Sequence, residues 1–198
     1  MISIIAVILT FIGFFICLSV HEAAHAFVSD KLGDPTSKHM GRLTLNPLAH
    51  IDPIGTVIVP VLLIISGLPA FGWAKPVMVD PRNFNHPARD NFFTALAGPI
   101  SNILFALVIV LIIKLIPALS FLTILVQINI ILALFNLIPV PPLDGSKVWH
   151  LMLSDESYYT LERMGPFILI AFIIFINSYG SSIFNFIDTV SNLFLKLI

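Results

Sequence analysis

Long apolar runs alternate with short polar stretches along the chain. Three runs have the roughly 20 apolar residues that a helix needs to cross a bilayer, and they cover residues 2–28, 92–116 and 119–138. Polar stretches rich in proline, glycine and charge separate them, at 29–53, 71–91 and 140–165. Two shorter apolar pieces follow, at 166–177 and 181–198. The pattern predicts an all-α fold, a polytopic bundle of membrane helices.

Residues 54–69 are apolar but short, and Pro60 and Gly67 interrupt them. If the three polar stretches all face the cytoplasm, eight of the ten Lys and Arg residues lie on that side, as the positive-inside rule favours. That arrangement requires 54–69 to enter and leave the membrane on one face, as a re-entrant segment. The alternative is a short true transmembrane helix, which would place the first two polar stretches on opposite sides.

Composition agrees with a membrane protein. Hydrophobic residues make up 58% of the chain and charged residues 11%, against about 25% charged in a soluble domain. The net charge of −1 gives no argument for a nucleic-acid partner, and Cys17, the only cysteine, excludes an intrachain disulfide. We expect one integral membrane domain over 1–198 in contact with the lipid bilayer. The sequence indicates no oligomeric state.

The first apolar run contains His21-Glu22-Ala23-Ala24-His25. On a helix, the HExxH spacing places two imidazoles one turn apart on one face, where both can bind one zinc ion. The glutamate beside them can act as general base. None of the twenty preceding residues is charged, and ionisable residues at membrane depth are costly enough to indicate function. The motif therefore predicts a zinc site inside the membrane.

A catalytic zinc site usually has three protein ligands and an open position. The best candidate for the third ligand is Asp144, which follows three prolines at the end of the 119–138 run. The prolines keep the backbone extended, and Gly145 permits a tight turn. In the predicted topology Asp144 and the end of the first helix share one leaflet, so the ligands can meet. Asp-Gly is also a common turn pair, which leaves a structural role for Asp144 open.

Three segments in this order, HEAAH, GPISN and NLIPVPPLDG, resemble the site-2 protease family, the intramembrane zinc metalloproteases of peptidase family M50. They lie in the core regions 2–28, 92–116 and 119–146, and the chain resembles a compact subgroup without a PDZ-like insertion. The resemblance implies zinc ligation by His21, His25 and Asp144, with Glu22 as catalytic base. It also implies that Asn136 binds substrate backbone or stabilises the oxyanion.

The resemblance implies a zinc metalloendopeptidase that hydrolyses peptide bonds in or near transmembrane segments of membrane proteins. It implies a multi-pass protein of the cell membrane with its active site toward the cytoplasm. Two alternatives use the same ligands: a membrane metal-binding or transport protein, and a catalytically silent scaffold. The compact ligand cluster speaks against the first, and the intact Glu22 against the second.

Four other polar residues each have a structural explanation beside a functional one. An interhelical hydrogen bond is the alternative role for Asn136. Asn102 is expected to serve packing beside Gly98 rather than catalysis. His50 and Asp52 either line the mouth of the active site or are ordinary loop residues.

Overall fold

The computed structural model describes residues 4–66, 75–179 and 181–197, where helices are the only regular secondary structure. In chain order the helices are α1 (Ile4–Leu32), α2 (Thr36–His39), α3 (Val59–Ile65), α4 (Pro87–Leu115), α5 (Thr123–Asn136), α6 (Asp155–Arg163), α7 (Gly165–Tyr179) and α8 (Ser181–Leu195). Short 3₁₀ turns at Pro47–His50, Pro81–Asn83, Pro117–Leu122 and Asp144–Leu151, and a π-helical turn at Pro53–Ile58, complete the set. The predicted all-α fold is confirmed.

Among the described residues, three stretches are long and apolar enough to cross a membrane: Leu9–Leu32, Pro87–Leu115 and Pro117–Asn136. A fourth crossing is available if α6 and α7, which meet at a 60° bend, act as one broken span. Helix α4 begins five residues before the predicted run, because Asp90 in its first turn accepts a hydrogen bond from the His86 N–H at 3.0 Å. The chain is therefore a multi-pass membrane protein.

Helix α4 packs between α1 and α5. It runs antiparallel to α1, since His25 contacts Thr94 while the earlier His21 contacts the later Asn102. Helix α5 runs parallel to α1, because Leu125 packs against Gly13 and Asn129 bonds Cys17 one turn further on. Helices in lipid associate through close packing and interhelical hydrogen bonds, and both occur here.

The antiparallel packing places the end of α1 and the start of α4 at the same end of the bundle. A single crossing by 54–69 would put the start of α4 at the opposite end, so the packing of the described helices favours the re-entrant segment over this alternative. The π-helical turn and α3 together have 13 residues, or about 20 Å of helix, against about 30 Å of hydrocarbon. The predicted re-entrant segment fits this geometry, and its residues 67–69 lie outside the described residues.

The other end of the bundle is filled by aliphatic side chains. Its buried centre comprises Ala106, Ile109, Val110, Ile113, Val126 and Ile130. Val190, Phe194 and Leu195 of α8 pack against this centre, which ties α8 to the bundle. At 15 residues, α8 is shorter than the roughly 20 needed to span the bilayer.

Candidate metal centre

His21 and His25 lie one turn apart on α1, on the face that packs against α4. Both are buried, at 3% and 7% exposure, and their Nε2 atoms lie 3.0 Å apart. Asp144 comes from far along the sequence, at the start of the 3₁₀ helix Asp144–Leu151. Its Oδ2 atom lies 3.1 Å from the Nε2 of His21 and 3.4 Å from that of His25. The structure thus brings together the three residues predicted as ligands.

The second nitrogen of each imidazole is fixed by an acceptor. His25 Nδ1 donates to the main-chain carbonyl of Thr94 at 2.7 Å. His21 Nδ1 donates to the Oδ1 atom of Asn102 at 2.6 Å. Because a carbonyl oxygen can only accept, the proton of each neutral ring resides on Nδ1. Each Nε2 atom then carries a lone pair directed at the centre of the cluster, the arrangement found for metal-ligating histidines.

This donor set fits zinc. Two imidazole lone pairs and a carboxylate oxygen meet in a buried space, and Asp144 Oδ2 has no hydrogen-bond partner among the described residues. Such a convergence of electron pairs is unfavourable unless a cation lies between them. Tetrahedral zinc bonds of roughly 2.0–2.2 Å place ligand atoms about 3.3–3.6 Å apart. The observed separations of 3.0–3.4 Å are slightly tighter.

Gly98 of α4 makes the approach of the two histidines possible. A Cβ atom at this position would lie 2.4 Å from His25 Nε2 and 2.6 Å from His21 Nε2. No side chain can be accommodated at those distances without displacing the imidazoles. The glycine of the GPISN segment therefore lets α4 approach both imidazoles closely.

Gly145 has a comparable role for the third ligand. A Cβ atom there would lie 2.2 Å from the main-chain oxygen of Leu137, at the end of α5. The loop is closed by a hydrogen bond from the Leu143 N–H to Val140 O at 2.9 Å. The chain thus turns back against α5, and this turn brings Asp144 to the histidines.

Glu22 lies beside the His21–His25–Asp144 cluster and faces residues 75–80, which have no regular secondary structure. Its Oε2 atom accepts a hydrogen bond from the Val77 N–H at 3.0 Å. Further along, the Asp80 N–H donates to Asp34 Oδ2 at 2.8 Å, so the segment is anchored to the end of α1. The carboxylate of Glu22 is therefore held in place by a main-chain group.

A cavity of about 400 Å³ opens next to the cluster. Glu22, His25 and Asp144 lie in one wall, and Pro76–Val79 in another. Further lining comes from α6 and the 3₁₀ helix: Tyr158, Tyr159, Glu162 and Lys147. Lys147 Nζ and Glu162 Oε2 form an ion pair. The cluster therefore adjoins a partly polar cavity.

Other candidate residues have structural contacts. Asn136 Nδ2 donates to Leu132 O in its own helix at 3.0 Å, and Asn136 is not among the described residues that line the cavity. His50 is buried, with Nε2 bonded to Thr44 O at 3.0 Å. Asp52 caps the turn that follows it by accepting from two N–H groups. His50 and Asp52 are therefore loop-forming residues.

Sequence reasoning missed the contact between Asn102 and His21. Asn102 is fully buried, and it bonds the imidazole directly instead of only packing beside Gly98. A buried amide in an apolar span was the available signal, but its partner depends on how α4 is rotated against α1. The position of residues 75–80 beside Glu22 was likewise not predicted.

A helical membrane bundle with a His–His–Asp cluster and an adjacent glutamate defines the class of protein, a membrane-embedded zinc hydrolase. The family model "Peptidase family M50" matches residues 115–176. YwhC of Bacillus subtilis, named as a candidate zinc metalloprotease, is 34% identical over 180 residues, which cover 84% of this chain and 79% of YwhC.

Rip2 of Mycolicibacterium smegmatis, also named as a candidate zinc metalloprotease, is 30% identical over 163 residues, 78% of this chain and 61% of Rip2. No solved structure matches the chain. The chain belongs to peptidase family M50, the site-2 protease family of intramembrane zinc metalloendopeptidases.

Proposed function

We propose that His21, His25 and Asp144 hold the zinc ion and that Glu22 is the general base for peptide hydrolysis. The observation that carries the proposal is the convergence of two Nε2 lone pairs and an unpartnered carboxylate oxygen beside Glu22. When bound, zinc would lower the pKa of a bound water to ~7 and would polarise the substrate carbonyl.

Residues of the chain itself transfer the proton and position the catalytic groups. Glu22 accepts the proton of the attacking water and returns it to the leaving amine. The Val77 N–H keeps the Glu22 carboxylate facing the cavity. Thr94 O and Asn102 hold the two imidazoles in the tautomer that directs Nε2 inward.

We propose that the substrate is a transmembrane segment of another protein, bound in an extended form. A helix engages its carbonyl groups in hydrogen bonds, so cleavage requires local unwinding. The segment Pro76–Val79, which has no regular secondary structure, offers main-chain groups beside Glu22 for strand addition by the substrate. For Asn136 we propose a role in binding substrate main chain, in which its Nδ2 atom exchanges Leu132 O for a substrate carbonyl.

We propose that the whole chain acts as one domain of the cell membrane, with its active site toward the cytoplasm. The end of α1, the start of α4 and the loop before Asp144 lie at the same end of the bundle as the ligands. The polar stretches attached there carry eight of the ten Lys and Arg residues. The positive-inside rule then assigns this end to the cytoplasm.

The test compares wild type with Glu22→Gln, purified in lipid vesicles with a panel of single-span substrates. Glu156→Gln is the matched control, since Glu156 is exposed on α6 outside the cavity. We expect near-stoichiometric zinc in all three proteins and cleavage by wild type and Glu156→Gln only. Cleavage that survives in Glu22→Gln would contradict the assigned base, and a wild type without zinc in zinc-replete buffer would contradict the metal site.

A further inference from the structure

A chain of buried amides connects α5 to the metal ligand His21. Asn129 of α5 and Asn102 of α4 are both fully buried. Asn102 Nδ2 donates to Asn129 Oδ1 at 2.7 Å, and Asn102 Oδ1 accepts from His21 Nδ1 at 2.6 Å. Asn129 therefore reaches the ligand through one intermediate side chain and without touching it.

Main-chain carbonyls fix the direction of this chain. Asn129 Nδ2 donates to Leu125 O at 2.8 Å, and a carbonyl oxygen can only accept. The oxygen of the Asn129 amide must then face Asn102. Asn102 Nδ2 also donates to Cys17 O at 3.1 Å. Both amides consequently have one orientation, and the oxygen of Asn102 faces His21.

The two histidines differ in what holds them. The acceptor for His25 is the main-chain oxygen of Thr94, which is fixed within α4 and cannot rotate. The acceptor for His21 is one end of an amide, which can turn over and present its NH₂ group instead. In that flipped state His21 would carry its proton on Nε2, the atom that must face the metal. Two acceptors of the Asn102 NH₂ group, Cys17 O and Asn129 Oδ1, oppose this flip.

We propose that Asn129 is a positioning residue that sets the tautomer of His21 through Asn102. Without the Asn129 oxygen, one of the two acceptors that hold the Asn102 NH₂ group is lost, and a buried donor without a partner is costly. Turning the amide over then becomes accessible, and the affinity of the site for zinc falls. This inference rests on the proposed role of His21 as a ligand.

The test uses two variants of Asn129 and one control. Asn129→Leu keeps a similar size but removes the acceptor. Asn129→Asp keeps an oxygen facing Asn102, and in its neutral form it can donate to Leu125 O. Val126→Ala is the control, since Val126 is buried on the same helix within the aliphatic centre and its side chain cannot form a hydrogen bond with the amides.

Two quantities are measured: the zinc Kd by chelator competition, and the imidazole tautomer of the apo protein by ¹⁵N NMR, with His21 assigned from His21→Gln. We expect Asn129→Leu to weaken zinc binding by ~10- to 100-fold, as losing an outer partner of a ligand does. We also expect its His21 signal to move from the Nδ1–H toward the Nε2–H form. Asn129→Asp should restore both readouts toward wild type, and Val126→Ala should leave both unchanged.

Three results would overturn the inference: an unchanged Kd and tautomer in Asn129→Leu, equal losses in Asn129→Leu and Asn129→Asp, or an equal loss in Val126→Ala. The proposed metal site fails separately, if His21→Gln itself retains wild-type zinc affinity. A loss of zinc in His21→Gln together with an unaltered Asn129→Leu would reject the positioning role alone.

Discussion

The two halves of helix α4 pack against their neighbours in different ways. The first half, residues 91–102, presents Thr94, Gly98 and Asn102 to α1 and its histidines. The second half, residues 106–113, presents only alanine, valine and isoleucine to α5 and α8 among its buried positions. One helix thus serves a polar site at one end and apolar packing at the other.

The difference shows where a membrane protein places its polar groups. Polar and ionisable side chains are costly at membrane depth, and the first half concentrates them where they bond the imidazoles of His21 and His25. The second half needs only close contact between aliphatic surfaces. We therefore expect substitutions in the first half to alter chemistry, and substitutions in the second half to alter stability.

The largest effect is expected from Asp144→Asn. The substitution keeps the shape of the side chain but removes the negative charge that faces the two Nε2 atoms. Zinc affinity should fall beyond the ~100-fold that loss of an outer partner costs, and cleavage should disappear. Zinc content by mass spectrometry checks this, with the exposed Asp188→Asn of α8 as control. Full zinc occupancy in Asp144→Asn would remove Asp144 from the ligand set.

Gly98→Ala and Gly13→Ala each add one methyl group, at opposite ends of the bundle. At Gly98 the new Cβ meets both imidazoles, 2.4 and 2.6 Å from their Nε2 atoms, so zinc binding and cleavage should be lost. Gly13→Ala adds the same group at the other end, where the close atom is Leu125 Cδ2 at 2.3 Å, the movable end of a flexible side chain. Zinc titration of both variants checks this, and equal zinc loss in both would contradict the distinction.

Ile113→Ala should give the opposite result. Ile113 is 2% exposed in the aliphatic centre, and truncating a buried isoleucine to alanine costs ~2–5 kcal/mol. The free energy of unfolding, measured in mixed micelles, should fall by that amount while zinc stoichiometry stays at the wild-type value. Loss of zinc under conditions where the variant remains folded would show that the two halves are coupled.

The smallest effect concerns the contact between the end of α1 and residues 75–80, whose contribution to stability should depend on pH. Burial raises the pKa of Asp34, but hydrogen bonds from Thr36, Asn83 and the Asp80 N–H outweigh it and hold the pKa below its usual range. A lowered folded-state pKa contributes stability above the unfolded pKa of about 3.9. That stability is lost as the pH falls through the lower, folded-state pKa.

Unfolding free energies between about pH 5 and about pH 2 should therefore decline less steeply in Asp34→Asn than in wild type. Asp188→Asn again provides the control, as an exposed carboxylate on α8. Parallel pH profiles for wild type and Asp34→Asn would contradict the role of Asp34.

The sequence predicted the features that depend on local spacing. The three spans follow from run length, and the pairing of His21 with His25 follows from the helical period. Asp144 was predicted as the third ligand from the prolines that precede it and from the resemblance of its motif to that of the family. The hydrogen bonds of Asn102 and Asn129 could not be predicted, because they depend on the rotation of α4 and α5 about their axes. The bond between Glu22 and Val77 likewise joins groups 55 positions apart, and no local pattern indicates that they meet.

X-ray absorption at the zinc edge of the purified, lipid-embedded protein tests the central claim most directly. We predict that the zinc of the wild type has two imidazole nitrogens and further oxygen ligands at about 2.0–2.2 Å. The zinc that His25→Ala still binds should have one imidazole ligand instead of two. Two results would contradict the proposed centre. One is a sulfur ligand at about 2.3 Å, for which Cys17 is the only cysteine in the sequence, and the other is an unchanged spectrum in His25→Ala.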